Sequence, residues 1–117
     1  MSFLSRLMGT SSDSLSPAEF VRQRDPDAPL IDVRTPKEFA LAHLDGAINA
    51  DVMAPSFAKT IEALDLPTEG PVYLYCRSGN RSKTATGLLK RQGYNGAVNI
   101  GGFDALVAAG AKANDAG

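Results

Sequence analysis

Val72-Tyr73-Leu74-Tyr75-Cys76-Arg77-Ser78-Gly79-Asn80-Arg81-Ser82 is the stretch on which the reading of this chain turns. Its first four residues are β-branched, aromatic or aliphatic, the composition of a buried strand. Within one residue the pattern changes to polar and basic side chains, with Gly79 available for a tight turn. Beyond Ser82, Ala85, Leu88 and Leu89 lie on one side of a helix that Gly93 stops. Strand, loop and helix in that order put Cys76 at the carboxyl end of a strand, where open parallel sheets bind ligands.

The flanking sequence repeats this alternation. Ser16-Pro17-Ala18-Glu19 and Thr35-Pro36-Lys37-Glu38 both read as capping boxes with proline in the first turn. The first predicts a helix to about Arg24; the second opens a helix bearing Phe39, Ala42 and His43, ended by Asp45-Gly46. Leu30-Ile31-Asp32-Val33 lies between them as a short buried strand, and Ala47-Ile48-Asn49 is a second. Phe57, Ile61 and Leu64 form the apolar stripe of a further helix, closed off by Pro67 and Gly70-Pro71. Ala97 to Ile100 reads as a last strand, followed by Gly101-Gly102 and a short helix from Phe103 to Ala109. The expected fold class is α/β, a single domain with a central parallel sheet of about four to five strands flanked by helices on both faces. The expected organisation is a flexible N-terminal arm over 1–14, the domain over 15–110, and a frayed C-terminal tail over 111–117.

Composition narrows the function classes. The 117 residues suit one domain, and a net charge of −1 gives no global attraction to nucleic acid or an anionic membrane. No apolar run approaches the ~20 residues that span a bilayer. Met1-Ser2-Phe3-Leu4-Ser5-Arg6-Leu7-Met8 makes a poor signal peptide, so a cytoplasmic protein is expected. One cysteine and one histidine exclude an internal disulfide and a four-ligand nitrogen and sulfur cage.

Cys76 is then either a buried filler or a reactive thiol. A free thiol of pKa ~8.5 is only about 3% thiolate at pH 7. Converging amides of a loop and helix start, with cations nearby, favour the charged form. Between Glu69 and Asp104 the chain has no acidic residue but carries Arg77, Arg81, Lys83, Lys90 and Arg91. Lys90 and Arg91 suit a solvated helix face, whereas Arg77 and Arg81 flank the cysteine loop. Ser78 and Ser82 could hydrogen-bond the sulfur or cap the helix, and Asn80 could contribute its backbone N–H alone.

Three segments together resemble the rhodanese family over roughly Ser16 to Phe103. The first is Leu30-Ile31-Asp32-Val33-Arg34 with Glu38-Phe39 and His43-Leu44-Asp45-Gly46-Ala47-Ile48-Asn49; the second is Tyr75 to Ser82; the third is Asn99-Ile100-Gly101-Gly102-Phe103. Ala42 departs from the family's usual glycine before the histidine, and Leu106 and Val107 occupy a region that often holds tryptophan. The resemblance implies sulfur transfer: Cys76 attacks the outer sulfur of a small anionic donor such as thiosulfate, and a thiol or cyanide acceptor removes it from the persulfide. It implies that Arg77, Ser78, Gly79, Asn80, Arg81 and Ser82 hold the substrate and persulfide, with no metal or organic cofactor. Asp32 and Arg34 are expected to be structural, behind the site, with Asp32 bracing a loop or an arginine, and His43 is expected to make a structural hydrogen bond.

Two other classes compete. A cysteine-loop phosphatase or arsenate reductase resembles this loop but places its arginine after five intervening residues, whereas Arg81 follows Cys76 after four. A binding module or persulfide carrier serving a protein sulfur donor or acceptor, with little thiosulfate turnover, is compatible with the same residues.

Overall fold

The computed structural model describes residues 13–115. The elements run α1 (Pro17–Gln23), β1 (Leu30–Asp32), α2 (Pro36–Leu41), β2 (Ala42–Leu44), β3 (Ile48–Asn49), α3 (Phe57–Ala63), β4 (Val72–Cys76), α4 (Asn80–Arg91), β5 (Ala97–Gly102), α5 (Phe103–Ala108) and β6 (Ala113–Asp115). Both capping boxes form: the Ser16 and Thr35 hydroxyls accept from the Glu19 and Glu38 amides, and each glutamate accepts from its cap residue's N–H.

Four strands make a parallel sheet in the order β3-β1-β4-β5. The chain leaves β1 towards one edge and β4 towards the other, so the crevice beyond their carboxyl ends is the switch point of the sheet. All five residues of β4 are buried, and the two-residue period of the strand sorts them. Val72, Leu74 and Cys76 join Ile31, Phe57, Ile61, Ala85 and Leu89 in the core shared with α3 and α4. Tyr73 and Tyr75 face the opposite core with Phe20, Leu44, Ile100 and Leu106. Alternation therefore directs Cys76 to the side where α4 begins.

Two expectations need correction. The helix expected to carry Ala42 and His43 stops at Leu41, and Ala42–Leu44 is instead strand β2. The frayed tail expected from residue 111 contains β6, which pairs antiparallel with β2 in the register Ala42↔Asp115, His43↔Asn114, Leu44↔Ala113. The backbone groups of 42–44 are satisfied by a partner about seventy residues away, which outweighs their local helical pattern. Of the expected N-terminal arm, residues 1–12 lie outside the described residues. Its end is tied to the sheet edge: the Asn99 amide donates to Asp13 O at 2.9 Å and the Leu15 amide to Asn99 O at 2.9 Å.

Candidate active site

Cys76 is the last residue of β4, and the chain turns immediately into α4. The turn depends on Gly79, whose φ of 99° suits a residue without a Cβ. It also lies against the start of α5. A Cβ on Gly102 would fall 2.4 Å from the carbonyl oxygen of Arg77, so the loop can pack on β5 only at a glycine. The ladder between β4 and β5 shifts register between Leu74 and Cys76, which re-aims the end of the strand.

The loop wraps its donors around one sulfur. The Gly79 amide lies 3.0 Å from Cys76 Sγ, the Ser82 amide 3.3 Å and the Ser82 hydroxyl 3.4 Å. Burial pushes the thiol up, since Cys76 is 1% exposed. The Ser82 hydroxyl, the Ser82 amide, the Gly79 amide and the Ser78 amide together outweigh that penalty and bring the thiol below its ordinary value.

The Ser82 hydroxyl has one proton and two acceptors within reach, Sγ and Asn99 Oδ1 at 2.7 Å. Asn99 Oδ1 also accepts from the Gly101 amide at 3.0 Å, so it stays satisfied when the proton turns to an anionic sulfur. Asn99 Nδ2 donates to the Gly79 carbonyl at 3.2 Å and fixes the turn from the β5 side. In the sequence Asn99 stands only as the first residue of the third family segment, and its place two residues before Gly101 is the one available signal.

The basic residues do not all converge on the sulfur. Arg81 donates from Nη1 and Nη2 to the two Glu38 oxygens at 2.8 and 3.0 Å. This pair, together with the Thr35 cap, brings the Glu38 carboxyl down to about 2 despite some burial. Arg77 is exposed and lines a crevice of about 230 Å³ with Arg34, Glu38, Leu41, Ala42, Phe103 and Asp104. The sulfur is thus held by neutral dipoles, with the arginines further out. Exposed Ser78 and Asn80 make no side-chain hydrogen bond to Sγ among the described residues.

Asp32 and Arg34 bind each other instead of reaching into the loop. Arg34 Nε lies 2.9 Å from Asp32 Oδ1, and Arg34 Nη2 lies 2.6 Å from Asp32 Oδ2 and 2.7 Å from the Ala42 carbonyl. The guanidinium also sits 4.8 Å over the Phe103 ring, clamping β2 to the start of α5. Asn49, which the sequence offers only as a strand residue at the end of the first family segment, donates to the carbonyls of Asp32 and Arg34 at 3.0 and 2.9 Å and holds the chain leaving β1. His43 Nδ1 donates to the Phe39 carbonyl at 2.8 Å, and its ring stacks on Phe39 at 3.7 Å.

This geometry has relatives. The rhodanese-like domain profile matches residues 16–109. A thiosulfate sulfurtransferase of Pseudomonas aeruginosa, GlpE, is 30% identical over 98 residues, covering 83% of this chain and 86% of that enzyme. An adenylyltransferase and sulfurtransferase of Ogataea parapolymorpha is 37% identical over 71 residues, 61% of this chain; the match spans only 18% of that longer protein. Among solved structures, the human single-domain sulfurtransferase is 25% identical with a TM-score of 0.66, covering 82% of this chain and 96% of its own. The rhodanese-like domain of an Anabaena protein has a TM-score of 0.75 at 18% identity, covering 88% of this chain and 79% of that one, a likeness of fold.

Proposed function

This chain belongs to the rhodanese-like domain family, and from that premise we propose that it carries sulfane sulfur as a persulfide on Cys76. The proposed donor is thiosulfate or a chemically similar small anion, and the acceptor a thiol or cyanide. In the first step the Cys76 thiolate attacks the outer sulfur of thiosulfate. The sulfur–sulfur bond of the donor breaks, its electron pair leaves with sulfite, and Cys76 retains the transferred sulfur as an anionic persulfide. In the second step the acceptor's nucleophile attacks that outer sulfur and Cys76 leaves as thiolate. No proton has to be abstracted once the cysteine is ionised.

The observation that carries this reading is the convergence of the Gly79 amide, the Ser82 amide and the Ser82 hydroxyl on Sγ. Such fixed dipoles favour an anion without covalently engaging it. They suit both the thiolate and the persulfide, and the Ser78 amide adds to them. Asn80 would contribute its backbone at the start of α4, and Arg77 would meet the donor from the crevice. The cytoplasm is the proposed location, since a lone thiol that must cycle needs a reducing compartment.

A second reading, a carrier that exchanges sulfur with a protein donor or acceptor and turns over thiosulfate slowly, is favoured by the pairing of Arg81 with Glu38. Intact mass after incubation with thiosulfate tests the first reading: one sulfur atom is gained, cyanide removes it, and Cys76→Ser gains none. Transfer from a protein persulfide but not from thiosulfate would support the carrier. No sulfur gained from either donor would overturn both.

A further inference from the structure

The cysteine loop is basic in its local sequence, yet other elements return carboxylates to its rim. Glu38 arrives from α2 and pairs with Arg81 through both oxygens. Asp51 lies within electrostatic reach of Arg81, as does Cys76. Asp104 shares the crevice with Arg77. The mouth is therefore close to charge-balanced where residues 70–103 alone would make it cationic.

We propose that Glu38 sets the donor specificity of the Cys76 site by neutralising Arg81, so that the site discriminates against doubly charged small donors. This rests on the reading that Cys76 accepts sulfur. Three features support it. The ion pair is bidentate, a geometry that uses the guanidinium face most able to bind an oxyanion. Glu38 cannot easily swing away, because Oε1 also accepts from the Thr35 amide at 3.0 Å and the Thr35 hydroxyl at 3.2 Å. Cys76 lies within electrostatic reach of the Arg81 guanidinium, so that charge bears on the reacting atom without touching it. The capping box of α2 thus has a second consequence, forty-three residues away along the chain.

Glu38→Gln separates the two jobs of this side chain. Glutamine can still accept from the Thr35 amide, as capping boxes allow, but it releases the Arg81 charge. Two donors share the same chemistry and differ by one charge: thiosulfate, a dianion releasing sulfite, and an alkylthiosulfonate, a monoanion releasing a sulfinate. In E38Q the KM for thiosulfate should fall about tenfold and that for the thiosulfonate about threefold, since the Coulomb term scales with donor charge. The change should fall in KM rather than kcat and disappear near ~1 M salt, where the screening length is about 3 Å. Arg81→Gln should move both KM values the opposite way, because Glu38 is left uncompensated. The double variant, with a neutral pair again, should return the donor ratio to that of the natural chain.

A uniform loss of kcat for both donors in E38Q would overturn the proposal and leave Glu38 as a structural brace. A double variant as impaired as R81Q would also overturn it, since Arg81 would then be binding the donor directly. Sulfur uptake by the natural chain from saturating thiosulfonate, followed by intact mass, separates the levels. If no sulfur is taken up, the underlying reading falls and this one with it; if sulfur is taken up but the donor ratio does not respond to E38Q, this inference alone falls.

Discussion

Two buried acidic groups at the same end of the sheet are held in opposite ways. At the end of β1, the Asp32 carboxylate is closed by the Arg34 guanidinium, whose Nη2 also donates to the Ala42 carbonyl. Beyond β4, the Cys76 sulfur meets amides and a hydroxyl, none of them charged. An ion pair with matched forks is a closed set, suited to fastening β2 against α5. A sulfur surrounded by dipoles has its charge favoured but its bonding left open. Only the second arrangement can accept and release an atom repeatedly.

The largest expected effect comes from exchanging the two regions' requirements. Cys76→Ser should abolish sulfur uptake with little change in stability, read by intact mass and thermal melting. Arg34→Met should do the reverse, lowering stability in a urea titration by about 3–5 kcal/mol because Asp32 is left buried and unpaired. Sulfur uptake per folded molecule should survive. If Arg34→Met removed uptake in protein that remained folded, the two regions would not be separable.

Gly102→Ala tests the packing beneath the loop. Its Cβ would lie 2.4 Å from the Arg77 carbonyl oxygen, so the backbone must move. A loss of about 1–3 kcal/mol in stability, typical of overpacking, should accompany slower alkylation of Cys76. Normal alkylation and stability would mean that the loop does not depend on this close approach.

Ser82→Ala should have a smaller effect, about 1 kcal/mol, because Asn99 Oδ1 keeps its bond from the Gly101 amide. The midpoint of thiol ionisation should rise, with alkylation near neutral pH slowed several-fold. The smallest effect concerns acid. Glu38 ionises at about 2 in the fold against an ordinary 4.5, so its contribution is complete above 4.5 and fades as the pH falls through 2. After allowance for screening this amounts to about 1 kcal/mol, and E38Q should flatten the stability profile over that window. An unchanged acid profile in E38Q would place the pair outside the stability of the fold.

What the sequence made legible was local. The apolar run of β4, the glycine turn and the stripe on α4 each follow from composition or periodicity within one segment. Pairing across the chain was not legible. Ala42–Leu44 reads as the end of a helix because its partner, Ala113–Asp115, lacks a strand-like composition. The same blindness hid the salt bridge between Glu38 and Arg81: one reads as a cap and the other as a loop cation, and only the fold brings their side chains together. Asn99 and Asn49 escaped for a related reason, since an asparagine that organises two distant backbones looks like any strand-end polar residue.

The loop amides and the Ser82 hydroxyl favour the thiolate of Cys76 over the thiol. Because the chain has one cysteine, alkylation by neutral iodoacetamide reports on that sulfur alone. The rate should be followed against pH in the folded protein and in denaturant. The folded midpoint should lie clearly below the unfolded one, which is near ~8.5 for a free thiol. A folded midpoint at or above the unfolded value, or a thiol that reacts only after unfolding, would contradict it.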